Sequence, residues 1–188
     1  MRSVEKQTEL TKIREKIANC FDCQLSSSRA NTVPGEGNPD AEILFIGEAP
    51  GATEDREGKP FCGQSGKFLD QLLAKIELSR SDIFITNTCK CRPPENRDPL
   101  PEEKAACRKF LDQQLQIIKP KIIVCLGKHS VETYLPEMGG IAKMHGKPFV
   151  SADGRVYLAL YHPAAALHNG GLRQTLIDDF MIIPTLLK

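Results

Sequence analysis

The chain has 188 residues, 40% hydrophobic and 26% charged, with a formal net charge of +1. That length suits one ordinary domain with a sizeable core, and the near-neutral balance excludes a broadly basic surface, so any nucleic-acid footprint must be a local patch. No apolar run reaches the roughly 18–20 residues of a membrane span, and no signal-peptide core opens the chain, so a cytoplasmic or nucleoid-associated protein with no membrane partner is expected.

Val4, Leu10, Ile13 and Ile17 form an uneven helical stripe over Val4–Ala18 that ends at Cys20. Cys20-Phe21-Asp22-Cys23 follows, and Asn31–Pro39, with its proline, glycine and polar residues, predicts a loop. The run Ile43-Leu44-Phe45-Ile46 predicts a buried strand over Glu42–Gly47. It feeds a glycine- and proline-rich stretch, Gly47-Glu48-Ala49-Pro50-Gly51, that runs on to Lys59-Pro60-Phe61. This loop has a carboxylate at its neck and an aromatic ring at its far end. Ser65 suits the N-cap of a helix over Gly66–Ile76. A strand over Ile83–Asn87 ends on a polar side chain, and Pro101 suits the first turn of a helix over Pro101–Ile118. Ile122–Leu126 predicts a third strand and Ser130–Leu135 a short helix. Phe149-Val150 and Val156–Leu160, separated by Asp153-Gly154, predict a hairpin that delivers the chain to Tyr161-His162-Pro163. A last helix over Leu172–Ile183 presents Leu172, Leu176, Phe180 and Ile183 on one face before Pro184.

Strands alternating with helices imply an α/β fold: three layers, α/β/α, around a mostly parallel sheet, in a single domain spanning residues 1–188. Open α/β sheets bind ligands beyond the carboxyl ends of their strands. The loop from Gly47 to Phe61 would hold a flat heterocycle between backbone amides and a stacking face, with Asn87 and His162-Pro163 completing the pocket.

Seven cysteines without an export signal argue against a disulfide framework. The C-x-x-C pair Cys20/Cys23 is a weak signal alone, but Cys91, in the loop after a strand, and Cys107, within a helix, supply a missing half. Four thiolates from distant segments suit a 4Fe–4S cluster or a zinc ion, and the spacing does not choose between them. Cys125, inside an apolar strand, reads as core. Cys62 and Cys89 read as structural, although an extended segment would turn Cys89 to the same side as Cys91.

In order and spacing these pieces resemble the type 4, iron–sulfur-containing uracil-DNA glycosylases over nearly the whole chain. The resemblance rests on Cys20-x-x-Cys23; Pro34-Gly35-Glu36-Gly37; Gly47-Glu48-Ala49-Pro50-Gly51; Gly58-Lys59-Pro60-Phe61; Ile85-Thr86-Asn87; Lys90-Cys91-Arg92-Pro93-Pro94; Pro101-Glu102-Glu103 to Cys107; and His162-Pro163-Ala164-Ala165. It implies that family's fold and its activity, hydrolysis of the N-glycosidic bond of uracil in single- or double-stranded DNA to leave an abasic site. It also implies a structural 4Fe–4S cluster on Cys20, Cys23, Cys91 and Cys107.

The same resemblance gives roles to the pocket residues. Phe61 would stack on the extruded base. The amide of Asn87 would match the N3–H and O4 edge of uracil and mismatch cytosine. Backbone amides of Glu48 and Ala49 would hold the pyrimidine, with Pro50 adding shape and a carbonyl. His162 would donate towards uracil O2, and Glu48 would orient water or stabilise the sugar cation. Glu54 and Asp55 are secondary candidates for excluding the methyl group of thymine.

On DNA, Arg92, Leu167 and His168 are expected contacts, Leu167 as the wedge filling the gap left by the base. Lys90, Arg97, Lys143, His145 and Lys147 are candidate phosphate contacts. Many relatives continue after Leu167 with Arg-Asn-Pro, where this chain has His168-Asn169-Gly170-Gly171, a change that predicts a more flexible loop. The acting unit is expected to be a monomer. The rival expectation is a non-enzymatic DNA-binding module held together by a four-cysteine metal site.

Overall fold

The structure, a computed structural model, describes residues 1–136, 139–152 and 154–187. Helix α1 covers Ser3–Ala18, with Leu10, Ile13 and Ile17 buried. Val4 lies outside this stripe, 78% exposed. The strands are β1 (Glu36–Gly37), β2 (Ile43–Gly47), β3 (Phe84–Asn87), β4 (Ile122–Leu126), β5 (Pro148–Val150) and β6 (Val156–Leu160). The remaining helices are α2 (Ala52–Glu57), α3 (Gln64–Lys75), α4 (Pro101–Ile118), α5 (Lys128–Tyr134), α6 (Ile141–Met144), α7 (Pro163–His168) and α8 (Gly171–Phe180).

The six strands form one sheet in the order β1-β3-β2-β4-β6-β5. The four central strands are parallel, and the short edge strands β1 and β5 pair antiparallel with β3 and β6. The expected hairpin is therefore present as β5 and β6, although Asp153 of its turn lies outside the described residues.

The continuous apolar runs are explained by burial on both faces. Ile43 and Phe45 of β2, with Ile122, Val124 and Leu126 of β4, pack against Phe68, Leu69, Leu72 and Leu73 of α3 and Leu176 and Phe180 of α8. The alternate residues Leu44, Ile46, Ile123 and Cys125 face Leu10 of α1, Leu111 and Leu115 of α4 and Val131 of α5. Period-two alternation thus feeds two cores and makes the three-layer α/β/α fold. Each fully buried Leu, Ile or Phe contributes about 1.5–3 kcal/mol of transfer free energy.

Some boundaries differ from expectation, each for a local reason. The stretch after Gly51 is not all loop: Ala52–Glu57 forms α2, closed by Gly58 in the left-handed region (φ 68°). The N-cap of α3 is Gly63, not Ser65. The last helix stops at Phe180, and a 3-10 turn over Ile183–Leu186 carries Pro184 in its first turn. The junction between α7 and α8 carries two local bonds: the Asn169 amide donates to Ala165 O at 2.9 Å, and the Gly171 amide donates to Asn169 Oδ1 at 3.0 Å.

Candidate active site and cysteine centre

Parallel strands end on one side of the sheet, so β2, β3 and β6 deliver Gly47, Asn87 and, through Tyr161, His162 to the same edge. Ala49, Glu54, Phe61, Ser65, Asn87 and His162 line one cavity there of about 60 Å³. The structure thus brings together Ala49, Phe61, Asn87 and His162 with Glu54, the secondary candidate, and adds Ser65. Glu48 and Pro50 are not among its lining residues.

The packing beneath this pocket requires glycine. A Cβ on Gly47 would lie 2.6 Å from Phe61 Cζ and would overlap Asn87 Oδ1. Gly127, at the end of β4, has φ 87°, and a Cβ there would meet His162 Cβ at 3.0 Å. The strand lying between β2 and β6 must end without a side chain for His162 to cross it.

His162 is the N-cap of α7, and its Nδ1 accepts from the Ala164 amide at 3.1 Å. Burial pushes its pKa down to about 4. A neutral ring with Nδ1 occupied as an acceptor carries its proton on Nε2. The ring stacks on Phe61, with centroids 5.4 Å apart and planes at 28°. Asn87 is 2% exposed. Among the described residues its side-chain amide has no hydrogen-bond partner, so its donor and acceptor remain available to a ligand.

Glu54 Oε1 accepts from the Gly63 amide at 2.8 Å, which places this carboxylate on the cavity wall. Asp55 points elsewhere: its carboxylate accepts from the amides of Ala30 and Asn31 at 3.0 and 3.3 Å. Glu48 reaches towards His129, whose Nε2 lies 3.6 Å from Glu48 Oε2 and 3.1 Å from Asp98 Oδ2. Burial raises the pKa of Glu48, partly countered by His129. His129 carried no signal in the sequence beyond following a strand.

Cys20, Cys23, Cys91 and Cys107 line a second, small cavity of about 20 Å³, with Ile17, Arg29, Lys90 and Phe110. The donor set is four thiols, two of which already receive hydrogen bonds: Arg29 Nη1 to Cys91 Sγ and the Lys90 amide to Cys107 Sγ, each 3.2 Å. Burial pushes the Cys107 thiol up to about 11 and raises Cys20 and Cys91 as well. Cys89 is fully buried beside Cys91 and Cys107, and Cys125 is core.

The loop after β3 offers DNA less charge than expected. Lys90 is 1% exposed, and its Nζ donates to Thr86 Oγ1 (2.5 Å), Asn87 O (2.8 Å) and Gln114 Oε1 (2.9 Å). It is a buried strut, not a phosphate contact. Arg97 is engaged by Glu103 through two bonds of 2.9 and 2.7 Å. Half-buried Arg92 donates to Asn96 Oδ1 at 2.8 Å. His145 pairs through Nδ1 with Asp179 at 2.9 Å. Leu167 and His168 end α7 on the surface, Leu167 being 43% exposed.

Comparison with known proteins bears on this geometry. Residues 34–181 match a protein-family profile described as the uracil DNA glycosylase superfamily. The chain is 49% identical to a type-4 uracil-DNA glycosylase of Sulfurisphaera tokodaii over 91% of this chain and 81% of that protein. It is 48% identical to a protein of the same description from Saccharolobus solfataricus, over 89% and 82%. A third, from Archaeoglobus fulgidus, is 44% identical over 91% and 89%.

Proposed function

This chain belongs to the uracil-DNA glycosylase superfamily, in its type-4 branch, and from that premise we propose that Ala49, Phe61, Asn87 and His162 enclose a uracil extruded from DNA and that the enzyme hydrolyses its N-glycosidic bond. The observation that carries this reading is the single cavity these residues line, although they come from three strand ends far apart in sequence.

Extrusion costs a few kcal/mol, and stacking on Phe61 returns roughly 1–3 kcal/mol of it. The Asn87 amide, without a partner among the described residues, accepts from uracil N3–H and donates to O4. Cytosine presents the reverse pattern and would leave the buried amide mismatched. Glu54, the carboxylate on the cavity wall, is assigned to excluding the thymine methyl, in preference to Asp55, which holds backbone amides.

Cleavage places negative charge on the departing base and positive charge on the sugar. The Nε2–H of neutral His162 donates to O2 as that charge grows, in the manner of an oxyanion donor. Glu48 is assigned to the sugar side, orienting water or facing the cation, with His129 and Asp98 beside it.

We assign Cys20, Cys23, Cys91 and Cys107 as the ligands of a 4Fe–4S cluster. Four thiols around one cavity and N–H donors already aimed at two sulfurs fit such a group. Bound there, the cluster supplies metal–thiolate bonds that tie the end of α1, the segment after β3 and α4 together. The substrate is uracil-containing DNA, single- or double-stranded, bound by one copy of the chain. Leu167 fills the vacated stack, and Arg92 and His168 lie alongside the backbone. No helix among the described residues is long and apolar enough to cross a membrane, and a nucleoid-associated cytoplasmic location accords with this substrate.

The test is incubation with a uracil-containing oligonucleotide, followed by alkali and measurement of strand breaks and free base. Wild type is expected to release uracil, and Asn87→Ala and His162→Ala to lose release by two or more orders of magnitude while remaining folded. Binding without base release would identify a DNA-binding module instead. Near-normal release by both variants would remove the pocket assignment.

A further inference from the structure

Phe61 has an unusual backbone for a residue with a large side chain. Its φ is 50°, in the left-handed region, which such residues occupy only when their surroundings hold them there. The structure shows what holds it. Arg80, in the turn before β3, donates from Nη2 to Phe61 O and from Nη1 to Pro60 O at 3.1 Å. The guanidinium is itself fixed, Nε to Asp70 Oδ1 of α3 at 2.7 Å and Nη1 to Glu36 Oε1 of β1 at 3.3 Å. Gly66 leaves the room this needs, because a Cβ there would overlap Phe61 O. One planar, five-donor group therefore spans two successive carbonyls and two carboxylates, which a lysine ammonium on its single flexible stem cannot reproduce.

Arg80 does not line the cavity. We propose that it is a positioning residue: by clamping the Pro60 and Phe61 carbonyls it sets the plane of the Phe61 ring, and with it the affinity of the pocket for a flat, uncharged pyrimidine. The inference rests on the reading of Phe61 as the stacking face.

The experiment measures kcat, KM, inhibition by free uracil and Tm for Arg80→Met, Arg80→Lys, Phe61→Ala and the Arg80→Met/Phe61→Ala double variant. Arg80→Met is expected to raise KM and weaken uracil inhibition by about tenfold, the scale of a lost base–aromatic contact, with a smaller change in kcat. Arg80→Lys should recover only part of the loss. In the Phe61→Ala background Arg80→Met should cost nothing further, because the ring it positions is gone.

If Phe61→Ala alone leaves release and uracil inhibition unchanged, the stacking reading fails and takes this proposal with it. If Phe61→Ala is damaging but Arg80→Met is silent, or the two losses multiply, the role of Arg80 is overturned and the pocket reading stands. Should Arg80→Met fail to fold, Asp70→Asn, which frees the guanidinium on one side, is expected to shift KM in the same direction by about threefold and to be silent without the Phe61 ring.

Discussion

Because the Ala164 amide occupies Nδ1 of His162, adding a second proton to the ring would set two N–H groups against each other. The ring would have to turn, losing both its helix cap and its aim. The His162 pKa, lowered to about 4 by burial, keeps it neutral across physiological pH. A depressed histidine pKa has a defined sign in stability. Between the unfolded value of about 6.5 and the folded value of about 4, the unfolded chain binds more protons, so stability falls as pH drops through that window, by at most about 1.4 kcal/mol per unit. Above pH 6.5 this contribution is fully present. Urea unfolding between pH 4 and 7 should therefore show a smaller acid loss for His162→Gln than for wild type, and single-turnover release by wild type should decline towards pH 4. Asn87 and His162 were legible in the sequence because each ends or follows a strand. The turned backbone of Phe61, its clamp Arg80 and the approach of His129 to Glu48 were not. They depend on residues brought together from distant turns, which no local pattern encodes.

Helix α4 illustrates how a single element supports the cysteine side of the sheet. Glu103, with a side chain 2% exposed, accepts from the Leu100 amide at 2.8 Å and from the Arg97 fork, so it caps the helix start and fixes the preceding loop at once. The Arg97 bonds and the Leu100 amide hold its pKa below the usual carboxylate range. Glu103→Gln removes the charge while keeping the shape, and should lower stability by about 1–3 kcal/mol in urea unfolding, since several charge-assisted bonds are weakened and each exceeds a neutral one by about 1 kcal/mol. Arg97→Ala should destabilise as well, because it leaves that carboxylate without its cation. The strands were legible as elements because residues buried on both faces make unbroken apolar runs. Pro101 marked the start of α4 for its fixed φ and missing N–H. Helix α2 escaped notice because Ala52-Thr53-Glu54-Asp55-Arg56-Glu57 is polar, short and bounded by glycines. Ser65 resembled a cap, but the helix begins two residues earlier and gives Ser65 to the cavity.

Across the whole molecule, the candidate base pocket and the cysteine cavity are joined by one short segment, which gives Asn87 to the first and Lys90 and Cys91 to the second. Three of its amides are pinned: Thr88 to Gly47 O at 3.0 Å, Cys89 to Glu48 O at 3.0 Å and Lys90 to Cys107 Sγ at 3.2 Å. Ala49 lines the pocket and also packs against the buried cluster that contains Cys89, Cys91 and Cys107. Cys91→Ser or Cys107→Ser is accordingly expected to abolish visible absorbance, lower iron content and soluble yield, and reduce uracil release in the fraction that folds. Metal analysis and absorbance spectra check this, and a colourless wild-type protein with stoichiometric zinc would overturn the iron assignment.

Because that segment is only a few residues long and bends back on itself, it couples the two cavities directly. A substitution that reshapes the cysteine cavity should therefore also disturb the pocket lined by Ala49 and Asn87. On the cluster assignment proposed above, a variant stripped of its iron should also hold free uracil more weakly, which inhibition of uracil release would report.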